Sequence, residues 1–443
     1  MGGGYIQLVA LGAQDMYITG NPQISFFKAV YRRHTNFSIE CIQIQHAGTI
    51  SANGGTLDFK VGRHADLLYK TYLEIDFPHQ SMIKADHGYV KCGNSTANAF
   101  IKKIDMEIGN KLIDRHYGKW YDIRNEIYEK QFYESYLTNK QSNPKTYLQS
   151  HTIKDDGSPP PLKVYLPFHF WFCNNPGLAL PLVALQYHDV DFKVEYRAIK
   201  HIMNGVRVTD TSDNLITDLN NVSFFDPSIK LWANYIYLDT EERKRFAQSS
   251  HEYMIEQIQL KESNFMNQIP LNFNHSVKEL FWVIQNKDVI SETTDTTKID
   301  ATNNYSTDTH FGEHGNDYLN YHTNNATFKS YLYNQELYEH FGSCKMVVNG
   351  IDRFDPQPAV YFRSILPFNH NHRIPDKFIY MYSFAIKPED YQPSGSFNFS
   401  KVDSASLQFL DGEVDTNSQI SIYALNYNVL RIMSGMGGLL FSN

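Results

Sequence analysis

The sequence predicts an all-β chain of two consecutive antiparallel sandwiches with few short helices. Three observations carry that prediction. Apolar and polar residues alternate in run after run, the pattern of strands with one buried and one wet face. Aromatic residues make up 14% of the chain, with 30 Tyr and 29 Phe, which favours strands and large buried contacts. A chain of 443 residues exceeds one ordinary domain and fits two of about 200 each.

Gly12 to Glu40 is the first organised stretch. Thr19-Gly20-Asn21-Pro22 is turn chemistry, with Gly20 free to adopt φ > 0 and Pro22 fixing its own φ. Asn21 followed by Pro22 also reads as an N-cap and first helical position. Ile24, Phe27, Val30 and Tyr31 then share one face of a short helix, and Arg32-Arg33-His34 forms a basic exit. A compact anchor of this kind suits a segment that docks onto something large.

Beyond it the period is two. Leu57, Phe59 and Val61 form one set, and Leu73, Ile75 and Phe77 a second. Ile104, Met106 and Ile108 form a third, and Val190, Phe192, Val194 and Tyr196 a fourth. Ser51 to Gly55 is a turn cluster suited to a hairpin. Helices are expected only at Trp120–Gln131 and Asp239–Ser249, the second with Thr240 as its cap.

Residues 139–161 read as a long polar loop with a proline-rich exit, and 288–325 as a large surface insertion with almost nothing to bury. The polar stretch Asn204 to Pro227 is the expected boundary between halves. A faint repeat supports duplication of one sandwich: Met106 to Arg115 and Met346 to Arg353 both read strand, turn, Ile-Asp-Arg. Each copy is followed by a prolyl, aromatic-rich strand region, Leu166 to Pro181 and Phe378 to Phe399.

Net charge is −8 without a basic tail or stripe, so no direct nucleic-acid partner is expected. Cys41, Cys92, Cys173 and Cys344 show no CxxC spacing, which argues against a zinc ribbon or a dense disulfide framework and fits a reducing compartment. The start lacks a secretory pattern, and Ile6 stands where a myristoylation motif wants Ser or Thr. The longest apolar run, Leu178 to Leu185, is too short to span a bilayer.

Enzyme signatures are missing. No GxSxG elbow, P-loop or dinucleotide fingerprint occurs. His188-Asp189-Val190-Asp191 and His370-Asn371-His372 resemble fragments of metal sites; Asp189 and Asp191 read better as solvent-facing carboxylates, and two imidazoles alone do not make a structural zinc site. Phe168 to Phe172 reads as core or subunit interface before a sugar platform. No catalytic residue, metal or cofactor is expected. Asn-x-Ser/Thr sequons fall at Asn36, Asn94, Asn221, Asn274, Asn304, Asn325 and Asn398; Asn304 and Asn325, in the polar insertion, are the glycosylation candidates.

Three segments carry a resemblance: GAQDMYITGNPQISFFKAVYRRHTNF from Gly12, Phe378 to Phe409, and Tyr427 to Asn443. In this order they resemble the double jelly-roll major capsid proteins of large icosahedral nucleo-cytoplasmic DNA viruses. The resemblance implies two consecutive eight-stranded antiparallel jelly rolls: an arm at 1–26, a first roll at 27–212, a linker at 213–226 and a second roll at 227–443 carrying the insertion 288–325. It implies a structural virion protein whose homotrimers form pseudo-hexagonal capsomers in the capsid shell, assembled in the host cytoplasm. Neighbouring capsomers, minor capsid proteins and an inner membrane region are the implied partners. Gly20, Asn21, Pro22, Phe26, Phe27, Arg32 and Arg33 would form the contact anchor. A minor capsid protein of the same fold is the alternative, and an enzyme or lectin on a β-sandwich the third reading.

Overall fold

The computed structural model describes residues 3–23, 31, 33–77, 87–92, 95–129, 162–209, 226–287, 318–319, 321, 329–330, 337–410 and 417–441. Met1–Phe37 forms one compact unit and Ser38–Asn443 another.

Among the described residues, the main strands of the first half of the larger unit are β1 Phe37–Ile44, β2 Gly55–Lys60, β3 Leu67–Phe77, β4 Ile101–Ile108, β5 Lys111–Tyr117, β6 Leu162–Pro167, β7 Val190–Tyr196 and β8 Ser228–Leu238; the short strands His46–Ala47 and Leu180–Pro181 join their sheets, and His87–Cys92 pairs with Met203–Thr209. Their counterparts in the second half are β9 His251–Asn264, β10 Gln268–Pro270, β11 Ser276–Asn286, β12 Ser343–Val348, β13 Ile351–Asp352, β14 Ile379–Ser383, β15 Ala405–Leu410 and β16 Ser418–Met433, joined by the short strands Gln357–Pro358, Phe397–Asn398 and Met436–Leu439. The first half forms sheets ordered β1-β8-β3-β6 and β2-β7-β4-β5. The second forms β9-β16-β11-β14 and β10-β15-β12-β13. Adding eight to each label converts the first pattern into the second. Each half is an antiparallel jelly roll, and the chain carries two copies of it.

The alternating sets identified in the sequence line the cores. Leu57, Phe59, Leu73, Ile75, Ile104 and Phe192 are all 0% exposed. Each such side chain contributes about 1.5–3 kcal/mol by leaving water. The aromatic run also lies inside, with Phe168, Phe170, Trp171 and Phe172 buried in the first roll's core. The Ser51–Gly55 cluster turns the chain between a short strand, His46–Ala47, and β2. The sequence repeat proves structural. Gly109-Asn110 joins β4 to β5 and Asn349-Gly350 joins β12 to β13, all four residues at positive φ, as a type I′ hairpin requires.

Four expectations need correction. Ser228–Leu238, placed with the second half, pairs along β3 in the first roll. Its inward side chains Ile229, Leu231 and Ala233 complete that core, so the chain leaves the first roll only after Leu238. Most of the expected linker, 213–225, lies outside the described residues. In the helix Thr240–Gln248, Asp239 takes the N-cap position and Thr240 is already helical. Gly20 has φ −73°, and Asn21 carries the positive φ of 51°. Gly20 is needed for closeness instead, because a Cβ there would sit 2.6 Å from the Met16 carbonyl oxygen.

The fourth correction concerns the polar insertion. Its described residues Tyr318, Leu319 and Tyr321 are buried, at 4%, 3% and 0% exposure. Tyr318 and Leu319 join the first roll's core and Tyr321 the second's. The end of this segment therefore enters the seam between rolls. The rest, with Asn304 and Asn325, lies outside the described residues, as do the 139–161 loop, Phe26, Phe27, Arg32 and all of the Ile24–Tyr31 helix except Tyr31.

Candidate functional site

The first roll is held to the second by the helix Gly118–Tyr128, which connects β5 to β6. It is buried on nearly every side, as a helix between two layers must be. Trp120, Ile123 and Ile127 belong to the second roll's core. Trp120 lies 5.4 Å from the Phe281 ring and 5.8 Å from that of Tyr423. Phe281 and Tyr423 are themselves cross-strand partners on β11 and β16. The backbone N–H of Arg373, in the second roll, donates to the Ile127 carbonyl at 2.8 Å, satisfying one of the helix's terminal acceptors.

Polar groups on this helix are just as engaged. Asp122, 0% exposed, accepts from Ser95 Oγ and from Tyr321 OH at 3.1 Å each, and from Lys377 Nζ at 2.7 Å. One turn on, Glu126 accepts from the Asp376 backbone N–H at 3.2 Å. Tyr128 OH donates to Glu279. Asp122 and Glu126 thus form an acidic stripe at i, i+4, aimed at the second roll.

The C-terminal hairpin returns the contact. Met436–Leu439 pairs with the end of β16 and reaches the first roll. The Tyr187 N–H donates to the Gly435 carbonyl at 2.9 Å. His188 Nδ1 lies 2.9 Å from the backbone oxygen and 3.1 Å from the backbone nitrogen of Gly437. A Cβ on Gly437 would stand 2.8 Å from Leu185 Cδ2, so the glycine allows the close approach.

The chemical candidates resolve into structure. Asp189 pairs with Lys60 at 2.6 Å and Arg63 at 3.0 Å, and its hydrogen bond to Lys60 holds its carboxyl below the usual value. His370 is half-buried, its Nδ1 3.4 Å from the Ile386 carbonyl oxygen, whereas His372 is buried between two carboxylates, so the two imidazoles have separate partners. His372 Nε2 lies 2.9 Å from Glu279 and Nδ1 3.0 Å from Glu389. Among the described residues no group of three or more metal-ligating side chains forms. Burial raises the thiol pKa of Cys173 to about 12 and raises that of Cys344 too, which suits inert core residues. No helix among the described residues is long and apolar enough to cross a membrane. A cleft of 430 Å³ opens at the seam, lined by Arg124, His169, Trp171, Glu256, Lys278 and Tyr391. Its charges engage one another: Lys278 bonds Glu256, and Arg124 lies 3.2 Å from His169 Nε2.

His372 gives the seam a pH dependence. Burial opposes its charge, but the hydrogen bonds and charges of Glu279 and Glu389 outweigh that and push its pKa up to about 9. A folded pKa above the unfolded value near 6.5 means the stabilisation is complete below that pH and is lost as pH rises through about 9. The full effect is on the order of 3 kcal/mol. Urea unfolding at pH 6, 8 and 10 is expected to show this loss in the wild type and its absence in His372→Gln; parallel curves would refute it.

Residues 25–239 match the family model described as major capsid protein N-terminus. Residues 242–438 match the one described as large eukaryotic DNA virus major capsid protein. The chain is 36% identical to the major capsid protein of Pyramimonas orientalis virus and 35% identical to that of Phaeocystis pouchetii virus, each match covering 100% of both chains. The chain belongs to the major capsid protein family of large eukaryotic DNA viruses. Among solved structures of capsid proteins, the PBCV-1 virus capsid matches with a TM-score of 0.71 and 29% identity, over 95% of this chain and 100% of that one. The Faustovirus major capsid protein, at 11% identity and a TM-score of 0.69 over 96% of this chain and 94% of that one, shares the fold. The family models meet between residues 239 and 242, where β8 ends and the connecting helix begins. The role of this chain is therefore structural, in the virion shell.

Of the sequence-derived anchor residues, Gly20, Asn21, Pro22 and Arg33 are exposed within the N-terminal unit. Sequence reasoning placed a helix at Trp120–Gln131, within two to three residues of the observed Gly118–Tyr128, but missed that it bridges the rolls, and it missed the glycine hairpin. A signal existed for both: Trp120, Ile123 and Ile127 at i, i+3 and i+7 on one helix face, and Gly435-Met-Gly-Gly after a long strand. Asn36 and Asn274 are exposed, whereas Asn398 uses its side-chain oxygen to accept from the Ser400 N–H at 3.0 Å.

Proposed function

We propose that three copies of this chain close into a pseudo-hexagonal capsomer that tiles an icosahedral shell. The observation that carries this reading is the duplicated roll with matching sheet orders: six similar rolls give a near-hexagonal outline from only three chains. Neighbouring capsomers, minor capsid proteins and the inner membrane region are the partners, and nucleic acid is not contacted directly, in keeping with the net charge of −8. The arm, through Gly20, Asn21, Pro22, Phe26, Phe27, Arg32 and Arg33, makes contacts beneath the shell. Its exposed Tyr5, Ile6, Leu8, Met16, Tyr17 and Ile18 support an apolar docking role. Asn304 and Asn325 carry glycans in this reading. Assembly takes place in the host cytoplasm, and the protein performs no catalysis.

Light scattering on the purified full chain tests the capsomer. A stable species at three times 51.3 kDa, surviving dilution and high salt, is the expected result. A persistent monomer would refute it. A minor capsid protein of the same fold would be separated by its low copy number in purified particles.

A further inference from the structure

The capsomer reading calls for contacts between copies without saying which surfaces meet. The internal duplication points to them. Within one chain, the helix following β5 lays Trp120, Ile123 and Ile127 onto the outer face of the second roll's β11 and β16. The equivalent segment of the second roll lies between β13 and β14. It is a π-helical turn, Tyr361–Ile365, running into the helix Leu366–Asn369. One side of it, Phe362, Arg363 and Leu366, is buried on its own roll. The other side presents Val360, Ile365 and Phe368, exposed by 39%, 46% and 70%. Val360 and Phe368 stand eight positions apart where Trp120 and Ile127 stand seven, the π turn accounting for the extra residue.

The receiving face is duplicated as well. Phe281 and Tyr423, beneath Trp120, are a cross-strand pair on β11 and β16. The equivalent strands of the first roll, β3 and β8, carry the cross-strand pair Tyr72 and Trp232. Both are half-buried and lie opposite the core residues Leu73 and Leu231. Tyr165 on β6 flanks them, 6.2 Å from Tyr72.

We propose that Val360, Ile365 and Phe368 of one copy pack onto the Tyr72–Trp232 face of the first roll of a second copy. This repeats between chains the contact that Trp120, Ile123 and Ile127 make within one, and it rests on the capsomer reading. The contact is head-to-tail: each copy offers the second-roll helix at one end and the first-roll sheet at the other. Repetition of one rotation closes such a contact into a ring, whereas a self-complementary contact would stop at two copies.

The test compares full-length wild type with the double variant Ile365→Asp/Phe368→Asp by light scattering across a dilution series. Both changed side chains are exposed in the single chain, so the far-UV spectrum is expected to remain that of the wild type. The concentration of half-dissociation is expected to rise at least about thirtyfold. A second measurement needs no loss of assembly. Phe368 is replaced by p-benzoylphenylalanine, the protein is mixed with isotope-labelled wild type, and light-induced cross-links are located by mass spectrometry. Cross-links between copies are expected in the peptides holding Tyr72 or Trp232. A wild-type oligomer that the double variant leaves intact, or cross-links confined elsewhere, would overturn this pairing and leave the capsomer standing. A wild type that stays monomeric would remove both.

Discussion

Replacing Asp122 with alanine is expected to destabilise the protein by about 3–5 kcal/mol, because it strands the buried ammonium of Lys377 without its counter-charge. Lys377 is 6% exposed and its Nζ lies 2.7 Å from Asp122. The same change leaves Tyr321 OH and Ser95 Oγ without their acceptor, in a site where water cannot replace it. Lys377→Met should cost less, since Asp122 would keep both hydroxyl donors. The double variant Asp122→Ala/Lys377→Met should cost less than the sum of the single changes, because the second removes the charge that the first strands. Urea unfolding at one fixed protein concentration measures all three, so that assembly contributes equally. An Asp122→Ala midpoint indistinguishable from wild type would show that the pair does not hold the seam.

Gly118→Ala is expected to act as strongly by a different cause. Gly118 opens the bridging helix, and a Cβ there would lie 2.1 Å from the Asn98 carbonyl oxygen and 2.2 Å from that of Ile101. Both obstacles are backbone, so neither can swing aside as a side-chain tip would. The helix would have to shift off the second roll, withdrawing Trp120, Ile123 and Ile127 from its core. A loss of about 4 kcal/mol or more, or failure to accumulate soluble protein, is expected. Gly438→Ala is the control, since a Cβ there meets nothing within 4 Å. Thermal unfolding of the two variants side by side decides the matter; equal melting temperatures would refute the steric account.

Both predictions fall on the seam, and so does most of what is unusual in this chain. The second roll's β11 is buried along Val277–Gln285 on both faces, although antiparallel sheets commonly leave one face wet. Its second cover is the helix of the other roll. A buried ion pair also recurs at the matching place in the second roll, where Arg363 NH2 lies 2.6 Å from Glu339 and Tyr380 OH donates to the same carboxylate at 2.8 Å. Such pairs add little net stability against an apolar substitute but are costly to break, which favours one docking geometry over its neighbours.

Local and periodic features are the ones legible in the residues alone. Alternation at Leu57–Val61, Leu73–Phe77, Ile104–Ile108 and Val190–Tyr196 was enough to place strands and choose their inner faces, because a side chain's face in a strand depends only on its parity. Gly109-Asn110 and Asn349-Gly350 announced their hairpins because few other residue pairs accept two positive φ values in succession. The family, too, was legible in three segments spread over the chain. Tertiary structure decided where one roll ends and which polar residues go inside. Ser228–Leu238 follows a polar stretch, yet the first roll needs it as a strand paired along β3. Asp122 and Lys377 stand 255 residues apart, and nothing local to either announces a partner that distant. Tyr318 and Tyr321 sit in a polar segment, but each finds a partner across the seam, Arg197 beneath one ring and Asp122 at the other's hydroxyl. Burial of a polar group is set by who meets it, and only the closed fold brings those partners together.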